Sequence, residues 1–171
     1  MILVYTGEGK GKTTAATGQA IRALGQNMTV AFAQFLKRPG QAGEQDMLSR
    51  LLGSNFHAGG LGFLRREEER PAHRNAALST LAWAAKQLAG PKRPQLLVLD
   101  ESIYALSMGL LHISELTPLL DQADQEPTCH VVLTGRDAPE QLIRRADLVT
   151  TMTVTKHPFD TGTPAQPGIE Y

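Results

Sequence analysis

The sequence has a single cysteine, Cys129, so no internal disulfide can form. It lies in the apolar stretch "CHVVLTG", where the simplest reading is a small buried hydrophobe. There is no charge excess either: 17 Lys and Arg balance 17 Asp and Glu. That removes any chain-wide electrostatic argument for nucleic acid, which needs a concentrated basic surface. No apolar run approaches the roughly 20 residues that span a bilayer. The opening "MILVY" is too short for a signal peptide and leads straight into a glycine-rich loop. There is no internal repeat, no low-complexity segment and no linker. The expectation is a soluble cytoplasmic protein without nucleic-acid or membrane partners. Its 171 residues are enough for one domain, spanning 1–171, with a buried core of its own.

What the sequence does have is alternation. "MILVYT", Thr29 to Phe35, "NFHA", Gln95 to Asp100, "HVVLTG" and Asp147 to Val154 read as strands. Between them, Thr13 to Leu24, Gly43 to Leu52, His73 to Ala89 and Ser114 to Asp124 read as helices. In the third of these, Leu78, Leu81, Ala85 and Leu88 recur at helical spacing, and Gly90-Pro91 stops it. Ser114 is the expected cap of the fourth. Asp137 and Glu140 stand at capping-box spacing before "QLIRRA". Short, continuously apolar strands separated by helices predict an α/β domain, a mostly parallel sheet covered by helices on both faces. Ala58 to Pro71 and Lys156 to Tyr171 show no clear periodicity; loops of that length are functional or disordered.

The chemistry starts at "TGEGKGKTTAATG", Thr6 to Gly18. Gly11-Lys12-Thr13 fits the end of a P-loop, G-x-x-x-x-G-K-[ST], between a strand and a helix. Thr6 occupies the first glycine position and Gly7 arrives one residue late, so this is a variant loop. Gly7 and Gly9 are expected to supply positive φ and close backbone approach. From Gly7 through Glu8, Gly9, Lys10 and Gly11, backbone N–H groups converge on an anion, aided by the helix N-terminus. Lys12 offers a charge for phosphate oxygens, Thr13 a hydroxyl for Mg²⁺, and Lys10 and Thr14 a second cation and a further donor. "LLVLDES" places Asp100 and Glu101 at the carboxyl end of a strand: Asp100 is the expected Mg²⁺-side carboxylate, and Glu101 binds the same ion or orients a reactant. In "LTGR", Arg136 is either a phosphate contact or a surface arginine after a turn. Together these residues predict a bound nucleoside triphosphate with Mg²⁺. They leave open which of its bonds breaks.

"TGEGKGKTTAATG", "QFLK" with Gly43-Glu44, "LLVLDE", "VVLTGR" and "KHPFDTGTPAQPGIEY" occur in one order from residue 1 to residue 171. In this the chain resembles the ATP:corrinoid adenosyltransferases of the BtuR/CobO/CobP type. The P-loop is widely shared; the tail from Lys156 to Asp160, with Gly162, Ala165, Gly168, Ile169 and Tyr171, is the more specific part. The resemblance implies a RecA-like P-loop NTPase fold and a homodimer. It implies that a reduced Co(I) corrinoid attacks the 5′ carbon of ATP, that triphosphate leaves intact, and that a reductant or flavoprotein serves the cobalt. It implies too that ATP lies reversed relative to ordinary P-loop ATPases. On this reading Lys12, Glu101 and Phe63 are the catalytic residues. Lys37, Glu44, Lys156 and His157 match family positions near the site, with a tail hydrogen bond as the alternative for His157.

Phe63, in "GFLR", matches an aromatic expected under the corrin ring, the alternative being a loop anchor in the core. Arg65 stands where a tryptophan is often found. Trp83 is read as packing, and "RREEER" as a solvated face or lid. The sequence starts at the first strand, without the extension that covers the site in many relatives, so cover is expected from elsewhere. The competing readings are an ATPase or kinase that cleaves the γ-phosphate, and a nucleotide or corrinoid carrier without turnover.

Overall fold

The computed structural model describes residues 1–126 and 128–170; Tyr171, the last residue of the tail pattern, lies outside them. Six strands, β1 (Ile2–Thr6), β2 (Val30–Gln34), β3 (Phe56–Ala58), β4 (Leu96–Asp100), β5 (His130–Thr134) and β6 (Leu148–Thr151), form one sheet in the order β3-β2-β4-β5-β1-β6. Every pairing is parallel. The acid-bearing β4 is therefore separated from the P-loop strand β1 by β5.

The helices are α1 (Lys12–Leu24), α2 (Glu44–Leu52), α3 (Arg70–Ala89), α4 (Ser102–Ser107), α5 (Ile113–Asp124) and α6 (Glu140–Arg145). The inner strands are apolar through their middles because the pleat sends alternate residues to two covered faces, and their polar residues gather at the ends. Ala31, Leu97, Leu99, Val131 and Leu133 face α3, α4, α5 and α6. Val30, Phe32, Leu96, Val98 and Val132 face the alanines of α1 and the leucines of α2. Ala16 and Ala20, both fully buried, let α1 lie close on the sheet directly behind the P-loop. Cys129 is buried, and Trp83 packs on the core with its ring 5.1 Å from His57, as a structural aromatic.

Several boundaries differ from expectation. The third helix begins at Arg70, through Pro71, because proline is tolerated in a first turn where its missing N–H has no partner. The fourth is capped by His112, not Ser114: the His112 N–H donates to Glu115 at 2.8 Å. The Asp137–Glu140 capping box does not form, since Pro139 holds the cap position and Asp137 has φ 55°. The last strand ends at Thr151 rather than Val154. Helix α4, directly after Glu101, had no sequence counterpart. "RREEER" forms a 3-10 turn with exposed i,i+3 ion pairs, the solvated face expected of it.

Candidate active site

The carboxyl ends of β1, β2, β4 and β5 meet at one edge of the sheet, the place where open α/β sheets bind ligands. The loop after β1 turns at Gly7 (φ 97°) and Gly11 (φ 112°). Positive φ thus falls on Gly7 and Gly11, not on Gly9. Gly9 is needed for space: a Cβ there would lie 2.7 Å from the Thr153 carbonyl oxygen, at the exit of β6. Its N–H donates to Met152 at 2.7 Å, tying the loop to the edge of the sheet.

Lys12 is buried and folds back on its own loop, donating to the carbonyls of Gly7 and Gly9, each at 2.7 Å. Burial lowers its pKa. Thr13 donates to Asp100 Oδ1 at 2.8 Å. Asp100 is fully buried and saturated: Oδ1 also accepts from Thr134 at 2.7 Å, and Oδ2 from Gln34 at 3.1 Å. Lys37 stands 3.5 Å from Asp100 Oδ2 and 2.7 Å from Glu44. Burial alone would lower the Lys37 pKa, but Asp100 and Glu44 outweigh it and raise it. Burial would likewise raise Glu44, and the Lys37 hydrogen bond and charge outweigh it.

Glu101 holds φ 62°, with its N–H on the Thr134 hydroxyl at 2.8 Å. Burial, then the charge of Asp100, raise its carboxyl to about 7. A strained backbone position carrying an undercompensated carboxylate belongs at a site that expects more positive charge. Thr13 and Glu101 bring to the cavity oxygen donors that suit a hard divalent cation, while the saturated Asp100 holds the Thr13 hydroxyl from behind rather than facing the cavity itself. Among the described residues no cluster of three or more His, Cys, Asp or Glu could hold a metal, so phosphate and water would complete such a shell.

A cavity of about 700 Å³ opens over these groups. Lys10, Gly11, Lys12, Thr13, Thr14, Lys37, Glu44 and Glu101 line it. Asp100 lies behind Thr13. Glu8 and Arg136 form an ion pair at 2.7 Å, with the guanidinium 5.9 Å from the Tyr104 ring. Lys156 and His157 do not reach the cavity: Lys156 is exposed, and His157 Nδ1 accepts from the Phe159 N–H at 3.1 Å, a tail hydrogen bond. The end of the tail does reach it. Gly168, Ile169 and Glu170 form one wall, where Lys10 donates to the Ile169 carbonyl and lies 3.7 Å from Glu170. Phe63 is 75% exposed, so it is not a core anchor; it lines a second cavity of about 470 Å³.

Sequence reasoning missed Gln34, Gln45 and Thr17. Gln34 is fully buried and bridges Asp100, Glu44 and Gln45. Its signal was present: a lone amide at the end of the apolar run "AFAQF". Thr17 Oγ1 is buried beside the cavity without a hydrogen-bond partner among the described residues.

The fold and this edge define a P-loop nucleotide-binding protein. Flagellar accessory protein FlaH from Methanocaldococcus jannaschii shares the fold, with TM-score 0.51 at 11% identity over 88% of this chain and 69% of that one. Residues 1–171 match the family described as ATP:corrinoid adenosyltransferase BtuR/CobO/CobP, and the chain belongs to that family. Corrinoid adenosyltransferases of Sinorhizobium sp and Pseudomonas aeruginosa are each 38% identical over 174 residues, covering all of this chain and 80% and 83% of those proteins. Corrinoid adenosyltransferase CobA of Salmonella typhimurium is 35% identical over 171 residues, covering all of this chain and 85% of that protein. The chain is thus a transferase of ATP and corrinoid, and the readings as a γ-phosphate-cleaving ATPase or kinase, or as a carrier without turnover, are not favoured.

Proposed function

We propose that the chain holds ATP by its triphosphate in the 700 Å³ cavity and presents the 5′ carbon to a Co(I) corrinoid docked beside Phe63. The cobalt lone pair forms a Co–C bond, the C5′–O bond breaks, and its electron pair leaves on triphosphate. Cobalt passes formally from Co(I) to Co(III), and no proton moves, so no side chain acts as nucleophile or general base. The observation that carries this reading is Lys12, buried and spent on its own loop carbonyls beside Thr13 and Asp100. A triphosphate entering the loop exchanges those carbonyls for phosphate oxygens.

The developing charge is on the leaving group, and Lys12 stabilises it there with the loop N–H groups other than that of Gly9, which is held by Met152. Mg²⁺, when bound, would add a Lewis acid at the triphosphate; Thr13 and Glu101 would hold it, with Asp100 orienting the Thr13 hydroxyl from behind. Lys10 and Thr14 serve the outer phosphates, while Lys37 and Glu44 fix Asp100 and the far wall. Glu8 and Arg136 brace the loop, and the partnerless Thr17 hydroxyl is free to bond the nucleotide.

Phe63 covers the lower corrin face, displacing the lower cobalt ligand and easing reduction of Co(II). Its exposure beside a cavity supports that part. Lys156 and His157 act indirectly, by shaping the tail that closes over Lys10. A homodimer in the cytoplasm, served by an external reductant, completes the reading; among the described residues no helix is long and apolar enough to cross a membrane. The test is product analysis with ATP, Mg²⁺, cobalamin and a strong reductant. Light-sensitive adenosylcobalamin with intact triphosphate is expected. ADP and phosphate without a Co–C product would refute it.

A further inference from the structure

The loop that carries Phe63 is tied to the exit of β2. The Gly60 N–H donates to Lys37 at 3.1 Å and the Gly62 N–H to Leu36 at 2.7 Å. Consecutive residues of that exit open onto different cavities: Lys37 onto the nucleotide cavity, Arg38 onto the one beside Phe63. The Arg38 stem runs beside Gly62, whose Cβ position is 3.9 Å from Arg38 Cδ. Arg65, two residues past Phe63, lines the same cavity.

The charges there do not cancel. Among the described residues Glu69 is the one acid lining this cavity, and its oxygens are taken by Arg66 at 2.7 Å and by the Arg65 backbone N–H at 3.3 Å. Among the described residues neither the Arg38 nor the Arg65 guanidinium pairs with a carboxylate. Two unspent guanidinium groups flank an exposed phenyl ring over a 470 Å³ hollow, in a chain whose net charge is zero. A guanidinium is a planar fork that matches carboxylate and phosphate oxygens.

We propose that Arg38 and Arg65 form an anion subsite at the rim of the Phe63 cavity, which selects corrinoids bearing a negative group at the ring periphery. This rests on the corrinoid reading of that cavity. The shared chemistry is an anionic oxygen pair, from either a side chain that is still a carboxylate or the phosphodiester of a nucleotide loop. A fully amidated corrinoid without that loop offers neither.

The test compares wild type with Arg38→Gln, Arg65→Gln and the double variant. Three pre-reduced substrates are used: cobinamide, cobalamin and a corrinoid with free side-chain carboxylates. For an anionic substrate KM should rise by up to about fivefold per guanidinium, the scale of an exposed ion pair. Cobinamide KM and every kcat should stay within about twofold. Arg38→Lys and Arg65→Lys should recover part of the preference, which shows that charge rather than loop shape is read. A shift confined to cobalamin assigns the phosphodiester, and one confined to the free acid assigns the carboxylate. Equal shifts for all three substrates, or none, overturn the subsite while leaving the transferase reading intact. A wild type that adenosylates no corrinoid overturns both.

Discussion

Glu101 is the carboxyl group in the site that its surroundings hold well above its ordinary pKa. Its carboxyl is pushed up to about 7 by burial and by Asp100, against the opposing charges of Lys37, Lys12 and Arg136. Below the ordinary carboxylate pKa the group is neutral whether the chain is folded or not, and costs nothing. From there up to about 7 the unfolded chain binds fewer protons than the folded one, so stability falls as pH rises, and the cost is complete above that. Glu101→Gln should therefore be more stable than wild type at pH 8 without nucleotide, by about 1–3 kcal/mol. The gap should close toward pH 5, and melting at both pH values checks it; an equal gap at both would show that Glu101 is not held this way. Lys12→Ala should lower turnover by roughly 100-fold or more, as loss of a preorganised charge at the leaving group does. Wild-type kcat would remove Lys12 from the chemistry. Lys12 and Thr13 were legible because a motif fixes their spacing, and Asp100 because it ends the apolar run "LLVLD". Gln34 and Thr17 were not, because a buried amide or hydroxyl announces itself only through partners far away in sequence.

Among the elements, the segment from β3 to α3 carries Phe63 and one wall of the second cavity. Its regular periodicity runs out after Ala58, yet three backbone hydrogen bonds, from Gly59, Gly60 and Gly62, pin it to the end and exit of β2. That pinning is invisible in a hydropathy pattern, because it uses N–H and carbonyl groups every residue has. Phe63→Ala should slow adenosylation from Co(II) corrinoid more than from pre-reduced Co(I), since the role proposed for the ring ends once cobalt is reduced. Rates measured from the two starting states decide it; equal slowing would remove Phe63 from the reduction step. The caps of α5 and α6 were misread for a related reason. Ser114 and Asp137 are good caps by type, but the backbone gives those places to His112 and Pro139. Helix α4 was missed because its six residues are too few for a period to show.

At the scale of the molecule, the α/β architecture was readable because the middle of a strand covered on both faces must be apolar, as in β2 and β4, whose polar residues Gln34 and Asp100 come only at the carboxyl end. The strand order was not: placing β5 between the P-loop strand and the acidic strand depends on crossovers no local pattern encodes. That insertion opens the room in which Thr134 joins Thr13 on one oxygen of Asp100. The tail was legible as a family pattern but not as a wall of the cavity; only the fold shows Glu170 and the Ile169 carbonyl meeting Lys10. Loop, acidic-strand exit and tail line one cavity, and the central claim concerns which side of the 5′ oxygen of ATP gives way. ATP carrying ¹⁸O at the bridge between C5′ and the α-phosphorus reports it directly. With Co(I) corrinoid, the label should leave in the triphosphate while the adenosyl group on cobalt carries none. Label retained on the nucleoside product would contradict the account.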